Sequence, residues 1–547
     1  MALSKEVFSR EVKDGWTISG VLSRQADERP DSPALQWQTE EPFTYKELYE
    51  HCLRLAGGLT SVGVQPGDRV LIMMPNSIEI VLAWFGVNLL GAVEVPINIH
   101  YKESWLVHEV NDCEARLAIV HEQYLQRFDQ VGDQLEHLTD IVVVGGDDAS
   151  ARQEPEEGWL THTWGELEGA QGIPEPVATQ HHDTSAIMYT SGTTGPSKGV
   201  VLPYGVGGVF AQGVVDVARL TSDDVSYVVH PLFHANAQFM QILPSLLVGA
   251  RISLWPGFSA SRWLDQARAC GGTITNTLGV MVNFIFAQEA REDDADNPLR
   301  AMITLPAPSD IAEDFEKRFA VKCVEGYGMT EVGCITYRRL DEPLRLGSAG
   351  RALPWCDVRV VDPETDEPLP PGEVGEIVVR PRATGIMMKE YNNVPAKTID
   401  AWRNLWFHTG DAGELDEEGY LYFRDRVKDT IRRRGENISS FSIESVVNTH
   451  PSVVESAAVA VPAGYGAGSE DEVKVCVVLA EETELDPAEL HEYCAQSMPY
   501  FAVPRYIEYV SEIPKTANAK VRKNVLRERG VTPDTWDREA AGIRVQK

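Results

Sequence analysis

Tyr189-Thr190-Ser191-Gly192-Thr193-Thr194-Gly195-Pro196-Ser197-Lys198-Gly199 is the stretch on which the reading of this 547-residue chain turns. It follows the apolar run Ala186-Ile187-Met188, which has the composition of a buried strand end. Three glycines permit tight turns and close approach of backbone to a ligand. Five Ser/Thr hydroxyls and successive backbone N–H groups suit an anionic phosphate, and Lys198 adds a positive charge. The pattern is not a Walker A loop, which needs Gly before the lysine and Ser or Thr after it; here Ser197 precedes and Gly199 follows. A Ser/Thr/Gly loop can also be a plain flexible connection. The order of these eleven residues argues instead for a polyphosphate-holding loop behind a strand.

Working outward toward the N-terminus, Thr44-Tyr45-Lys46-Glu47 is a capping-box pattern, with Leu48, Cys52, Leu55 and Leu59 at helical spacing behind it. Gly63 and the Gln65-Pro66-Gly67-Asp68 turn end that helix. Val70–Met74 reads as a buried strand, Ser77–Leu90 as a helix and Ala92–Ile97 as a further strand. The alternation predicts α/β layers with a largely parallel sheet. The acidic, Gly/Pro-containing segment Asp147–Pro176 reads as a surface loop. After about residue 340, Val358–Asp362 and Gly375–Val379 read as short strands around a turn-rich run, a small β-rich subdomain. From about Asp429 onward, strands at Ala457–Val461 and Lys474–Leu479 and a helix near Pro487–Met498 suffice for a compact α+β unit.

Composition sets outer bounds. At this length two or more domains are expected. A net charge of −33 argues against a nucleic-acid or anionic-membrane binder, which would need a basic face. Eight scattered cysteines with no CxxC pair argue against a zinc site or disulfide framework and for reduced thiols in the cytoplasm. The N-terminus has no apolar core of a signal peptide, and Ile80–Ile97, the most membrane-like stretch, carries Asn88, Gly91 and Glu94 and reads better as helix, turn, strand.

Further signatures stand in order along the chain. Gly326-Tyr327-Gly328-Met329-Thr330-Glu331 offers a flat ring for a base, a hydroxyl for a phosphate oxygen and a hard carboxylate ligand for Mg²⁺; by itself it is equally a strand–turn with a packed tyrosine. Trp406-Phe407-His408-Thr409-Gly410-Asp411 places a carboxylate in a turn, and Tyr422–Asp429 follows with Arg426 and Lys428. Near the C-terminus lies Ile513–Lys523, with Lys520 inside it. Together with the opening stretch, these motifs resemble the adenylate-forming family: acyl- and aryl-CoA synthetases, peptide-synthetase adenylation domains and beetle luciferases. The resemblance spans about Thr44 to Lys523.

The resemblance implies an α/β fold, with a large multi-layer N-terminal adenylate-forming domain (α/β sheets plus a small β-barrel) over 1–427. A small mobile α+β lid over 428–547 would swing about a hinge at Lys428. It implies a phosphate loop of Thr190, Ser191, Gly192, Thr193, Thr194, Gly195 and Lys198. Tyr327 would stack on adenine beside a turn at Pro306-Ala307-Pro308, which departs from the family's letters. Thr330 would touch the α-phosphate, Glu331 bind the metal, Asp411 and Arg426 hold the ribose, and Lys520 be the catalytic lysine, although Ala519 replaces the usual glycine before it. Pro231–Gln238 resembles an aromatic/His gate, with His234 beside the acyl site. Gly435-Glu436-Asn437-Ile438 with Glu444 resembles the start of the lid that approaches CoA, whereas Arg432–Arg434 reads as solvated surface charge.

The implied function is an AMP-forming acid–CoA ligase acting on a small carboxylic acid with ATP, Mg²⁺ and coenzyme A, without nucleic acid or a membrane span, and compatible with a homodimer. The alternatives are transfer to a carrier protein, a luciferase-like oxygenase, or a non-enzymatic nucleotide-binding protein. Gly279, Val280, Met281, Asn283, Phe284, Asn236 and Gln238 are candidate pocket residues, and Tyr500–Arg505 resembles the carnitine/crotonobetaine ligase branch.

Overall fold

The computed structural model describes residues 9–145, 158–170, 172–190, 196–305, 307–309, 311–426, 430–463, 470–480, 483–515 and 521–545. The chain forms two compact units: one of residues 1–99, 110–188 and 199–425, the other of 100–109, 189–198 and 426–547.

Among the described residues the first unit holds three sheets. In an eight-stranded sheet, Thr184–Thr190, Val93–Pro96, Arg69–Met73, Leu117–His121, Asp140–Val144 and Leu160–Thr163 run parallel in that order; Lys198–Pro203 and Glu390–Tyr391 extend it. In a nine-stranded sheet, Pro33–Trp37, Arg251–Leu254, Val225–Val228, Ile274–Thr277, Ala301–Thr304 and Lys322–Met329 are parallel, and the edges are antiparallel. A third, antiparallel sheet contains Cys356–Val361, Gly375–Pro381 and Trp406–Leu415, the β-rich part expected after residue 340.

These elements form where the apolar pattern places them. The Tyr45–Ser61 helix has its capping box, with the Thr44 hydroxyl accepting from the Glu47 N–H at 3.2 Å and the Glu47 carboxylate accepting from the Thr44 N–H at 2.9 Å. The Ile78–Leu89 helix is apolar on every side and is buried from Ile80 onward. Its one buried amide, Asn88, donates from Nδ2 to the carbonyls of Ala92 and Ser185, which meets the donor half of that amide inside the apolar layer. Parallel strands buried on both faces become continuous apolar runs, as in Val70-Leu71-Ile72-Met73.

The segment expected to be a surface loop is in part ordered structure. Leu160–Thr163 pairs with Asp140–Val144 at the sheet edge, and Trp164–Glu168 is a helix capped by Thr163 and Glu166. A four-residue edge strand reading Leu-Thr-His-Thr, exposed at Leu160 and half-buried beyond it, has too little apolar alternation to announce itself.

In the second unit Val453–Pro462, Asp471–Leu479, Tyr506–Tyr509 and Trp536–Asp537 form a mixed sheet. Period-two alternation divides its faces. Val473, Val475 and Val477 bury against Ile443, Val447, Leu490 and Cys494 of the Ser440–Val447 and Pro487–Ser497 helices. Cys476, Ala457 and Val459 bury against Ile513 and Leu526 on the other side.

Candidate active site

The Gly-Tyr-Gly-Met-Thr-Glu signature is a hairpin. Lys322–Met329 pairs antiparallel with Gly333–Tyr337 around the turn that carries Thr330 and Glu331. The two glycines are there for sheet packing: a Cβ on Gly326 would lie 2.4 Å from the Tyr337 ring, and one on Gly328 2.4 Å from the Gly333 carbonyl. Between them Tyr327 is 9% exposed. Its hydroxyl donates to Asp411 Oδ2 at 2.6 Å, and its ring stacks on Phe423 at 5.9 Å. Asp411 is buried on Trp406–Leu415, and its N–H donates to Thr409 Oγ1. Two signatures 84 residues apart therefore share one hydrogen bond.

One residue before the signature, Glu325 is buried and accepts the Ala307 N–H at 3.2 Å. Burial pushes its carboxyl up to about 8, against the smaller downward pull of that N–H and of Arg338. The side chain thus orients the turn containing Ala307 while remaining largely protonated at neutral pH. Glu331 is buried at the hairpin turn and accepts the Tyr391 hydroxyl at 2.9 Å, and its carbonyl accepts the Met388 N–H. Burial, then the neighbouring Glu331 carboxylate, raises the Tyr391 phenol well above its ordinary range. Glu390–Tyr391 pairs with Lys198–Pro203, and the Asn392 N–H donates to the Gly199 carbonyl. Sequence reasoning missed both Glu325 and Tyr391. A carboxylate inside a buried strand was a readable signal for the first; nothing local marks the second.

Comparison with known proteins places this geometry. Residues 22–391 match the AMP-binding enzyme family, and residues 442–520 match the AMP-binding enzyme C-terminal domain. This chain belongs to the AMP-binding enzyme family. It is 31% identical over 498 residues to a crotonobetaine/carnitine–CoA ligase of Salmonella enteritidis PT4, covering 89% of this chain and 93% of that one. Among solved structures it is similar to o-succinylbenzoate CoA synthetase (MenE) of Bacillus subtilis, with a TM-score of 0.79 and 25% identity over 92% of this chain and 97% of that one. It is also similar to ATP-bound MatB of Rhodopseudomonas palustris, with a TM-score of 0.68 and 26% identity over 94% and 98%.

In this AMP-binding enzyme, His234 is half-buried ahead of the short Ala235–Ala237 helix; its N–H donates to the Pro231 carbonyl, and its ring lies 4.6 Å from that of Phe233. Asn236 accepts from Asn276 Nδ2 at 2.9 Å, past the end of the Val225–Val228 strand and at the end of Ile274–Thr277. Carboxyl ends of parallel strands are where open α/β sheets bind ligands. Gln238 is fully buried and donates to Glu94 Oε1 at 2.6 Å and to the Leu232 carbonyl. Of the other pocket candidates Met281 is buried, whereas Phe284 is 43% exposed.

In the second unit Thr190 and Lys198 are half-buried. Gly435 sits with Arg434 at the turn between Thr430–Arg433 and Glu436–Ser439, both at positive φ, and its N–H donates to Glu470 at 3.1 Å. Arg426 ends the Leu421–Arg426 strand. Ser191, Gly192, Thr193, Thr194, Gly195, Pro306, Lys428, Ala519 and Lys520 lie outside the described residues, as does the side chain of Val280. The reading of Arg432–Arg434 as solvated charge fails at its centre. Arg433 is 1% exposed, with Nη1 donating to the carbonyls of Phe501 and Val503 and Nε 2.8 Å from Glu472 Oε2. Burial lowers its guanidinium to about 10. Strand alternation explains this: Arg433 shares the inward face with Ile431.

Proposed function

We propose that the acid this enzyme activates is a short polar carboxylic acid, with crotonobetaine- and carnitine-type acids first in any panel, and that it is activated as acyl-AMP with Mg²⁺ carried on ATP. The reaction class follows from the family and its relatives: the enzyme is an AMP-forming acid–CoA ligase using ATP and coenzyme A. A substrate carboxylate oxygen attacks the α-phosphorus of ATP and pyrophosphate leaves. The CoA thiolate then attacks the acyl carbon and AMP leaves.

The observation that carries the reading is the Tyr327–Asp411 hydrogen bond, with Glu325 holding Ala307 one residue upstream of the same signature. Tyr327 and Ala307 would take the base, Asp411 and Arg426 the ribose hydroxyls, Thr330 an α-phosphate oxygen, and Thr190–Gly195 with Lys198 the polyphosphate. Among the described residues no group of three His, Cys, Asp or Glu could hold a resident metal. A single buried carboxylate with one oxygen oriented by a tyrosine fits Mg²⁺ that arrives with substrate phosphates and water. Glu331 would hold it, and the ion would neutralise charge on the phosphates. His234, Asn236 and Asn276 would border the acyl group. Lys520 would stabilise charge between carboxylate and α-phosphate, and a lid from Lys428 onward, with Gly435 near its start, would turn between the half-reactions.

All eight cysteines are buried free thiols, which fits a reducing cytoplasm; among the described residues no helix is long and apolar enough to cross a membrane. The test is Lys520→Ala in separated half-reactions. Adenylation should fall by about 10²–10³-fold, the usual cost of one preorganised donor, while thioester formation from supplied acyl-AMP stays near wild type. An unchanged ratio of the two rates removes Lys520 from this role; formation of ADP instead of AMP removes the reaction itself.

A further inference from the structure

The helix Glu103–Asp112 contributes two consecutive residues that grip both ends of the stretch from Tyr189 to Ser197. Glu109 is fully buried, and its Oε1 accepts the Ser197 hydroxyl at 2.9 Å. Its backbone carbonyl accepts the Tyr189 hydroxyl at 3.3 Å. His108 Nε2 donates to the Ser197 carbonyl at 2.7 Å, and its ring meets the Tyr189 ring edge-on at 6.3 Å. One turn of helix thus holds the residue two places before the segment 191–195 and the residue two places after it.

A glycine-rich segment loses more backbone freedom on ordering than any other, so its aim must be set from outside. A buried carboxylate cannot serve a phosphate directly, because like charges repel. It can fix a hydroxyl, and charge-assisted hydrogen bonds of this kind are the strong ones. Of the five hydroxyls in the opening stretch, Ser197's proton is committed to Glu109. Ser197 is therefore tethered by its hydroxyl and its carbonyl, one residue before Lys198.

We propose that Glu109, seconded by His108, is a positioning residue for ATP: it acts through Ser197 and sets where the next residue, Lys198, meets the polyphosphate. This rests on the adenylating function assigned above. The experiment measures ATP affinity of the full-length enzyme by calorimetry, together with KM for ATP, KM for the acid and the rate of thioester formation from supplied acyl-AMP, in Glu109→Leu, Glu109→Gln and Ser197→Ala. Loss of one charge-assisted bond should weaken ATP binding by about tenfold in Glu109→Leu and Ser197→Ala. The KM for the acid and the thioester step should stay within about twofold, as expected where the lost contact touches only the ATP step. Glu109→Gln, which still accepts from Ser197, should stay within about threefold of wild type, and the Glu109→Leu/Ser197→Ala double variant should be no worse than the weaker single one. Ser197→Ala indistinguishable from wild type, or ATP and thioester steps falling together, overturns the proposal; if Glu109→Leu does not fold, Ser197→Ala decides alone. Wild-type enzyme that binds ATP but releases no AMP with any acid sinks the assigned reaction and leaves the binding comparison to judge Glu109. Wild-type enzyme that binds no ATP overturns both.

Discussion

Two buried polar clusters, one in each unit, differ in the kind of partner that holds their carboxylates. In the second unit Lys474 and Glu508 are 0% and 1% exposed and paired. Glu508 also takes Arg529 at 2.7 Å and Thr532 at 3.1 Å, and Arg505 takes both Asp537 and Glu539. The charges there are met by opposite charges on the sheet, on the Lys523–Arg529 helix and in the segments beside the strands. In the first unit Asp411 has the Tyr327 hydroxyl on one oxygen, and Glu331 has the Tyr391 hydroxyl on one of its own. Those two partners are neutral donors, and each orients the carboxylate oxygen it reaches. Opposite charges packed around one another hold a fold together; a hydroxyl on a carboxylate sets where one of its oxygens points.

The contrast can be broken at its stiff end first. Lys474→Met leaves Glu508 buried with its pairing halved, and losing one partner of a buried pair costs about 3–5 kcal/mol. Denaturant unfolding should show that loss. A variant as stable as wild type would place Lys474 and Glu508 among pairs of little worth. At the other end, Tyr327→Phe removes only the hydroxyl that aims Asp411, at a cost of about 1.5–3 kcal/mol for a bond to a charged group. It should raise KM for ATP roughly tenfold or more with stability nearly kept. Equal loss of stability and ATP affinity would make the pair structural, like Lys474–Glu508.

A pH series sharpens the comparison inside the first unit. The Glu325 carboxyl is raised to about 8 by burial from an unfolded value of about 4.3. The folded state holds the proton more tightly, so its contribution to stability is complete below the unfolded value and is lost as pH rises through about 8. Glu325→Gln keeps an acceptor for Ala307 and cannot ionise. Its Tm relative to wild type should climb from pH 5 to about pH 8 and level off above that, whereas a constant difference would mean that Glu325 is ionised throughout. The smallest effect is expected from Tyr391→Phe: about threefold in the Mg²⁺ concentration needed for half-maximal AMP formation, from one net hydrogen bond of about 0.5–1.5 kcal/mol, with ATP-binding enthalpy in the absence of metal unchanged. No change in Mg²⁺ requirement would remove Tyr391 from the orientation of Glu331.

Much of this molecule was legible because its informative residues are local in sequence. Ser77–Leu90 and Ala92–Ile97 were read within one residue of the helix Ile78–Leu89 and strand Val93–Pro96, since apolar runs between turn signals dictate buried elements. The signature containing Tyr327 was visible as a motif, but its bond to Asp411 spans 84 residues and that of Tyr391 to Glu331 spans 60, and no spacing rule reaches so far. Arg433 was misread for a related reason. Three consecutive arginines look like surface, and only the pleat of the strand, which sends the middle one inward beside Ile431, shows that one of them belongs to the core. The short strand Leu160–Thr163 escaped because an edge needs few apolar residues.

The central claim is that a substrate carboxylate oxygen attacks the α-phosphorus of ATP. It is tested most directly by running the reaction with an acid labelled with ¹⁸O in both carboxyl oxygens. Thiol attack on the acyl carbon breaks the bond to the bridging oxygen, so AMP should leave carrying one ¹⁸O atom, with none in pyrophosphate and one retained in the thioester carbonyl. Unlabelled AMP, or label in inorganic phosphate beside ADP, would contradict an acyl-AMP route.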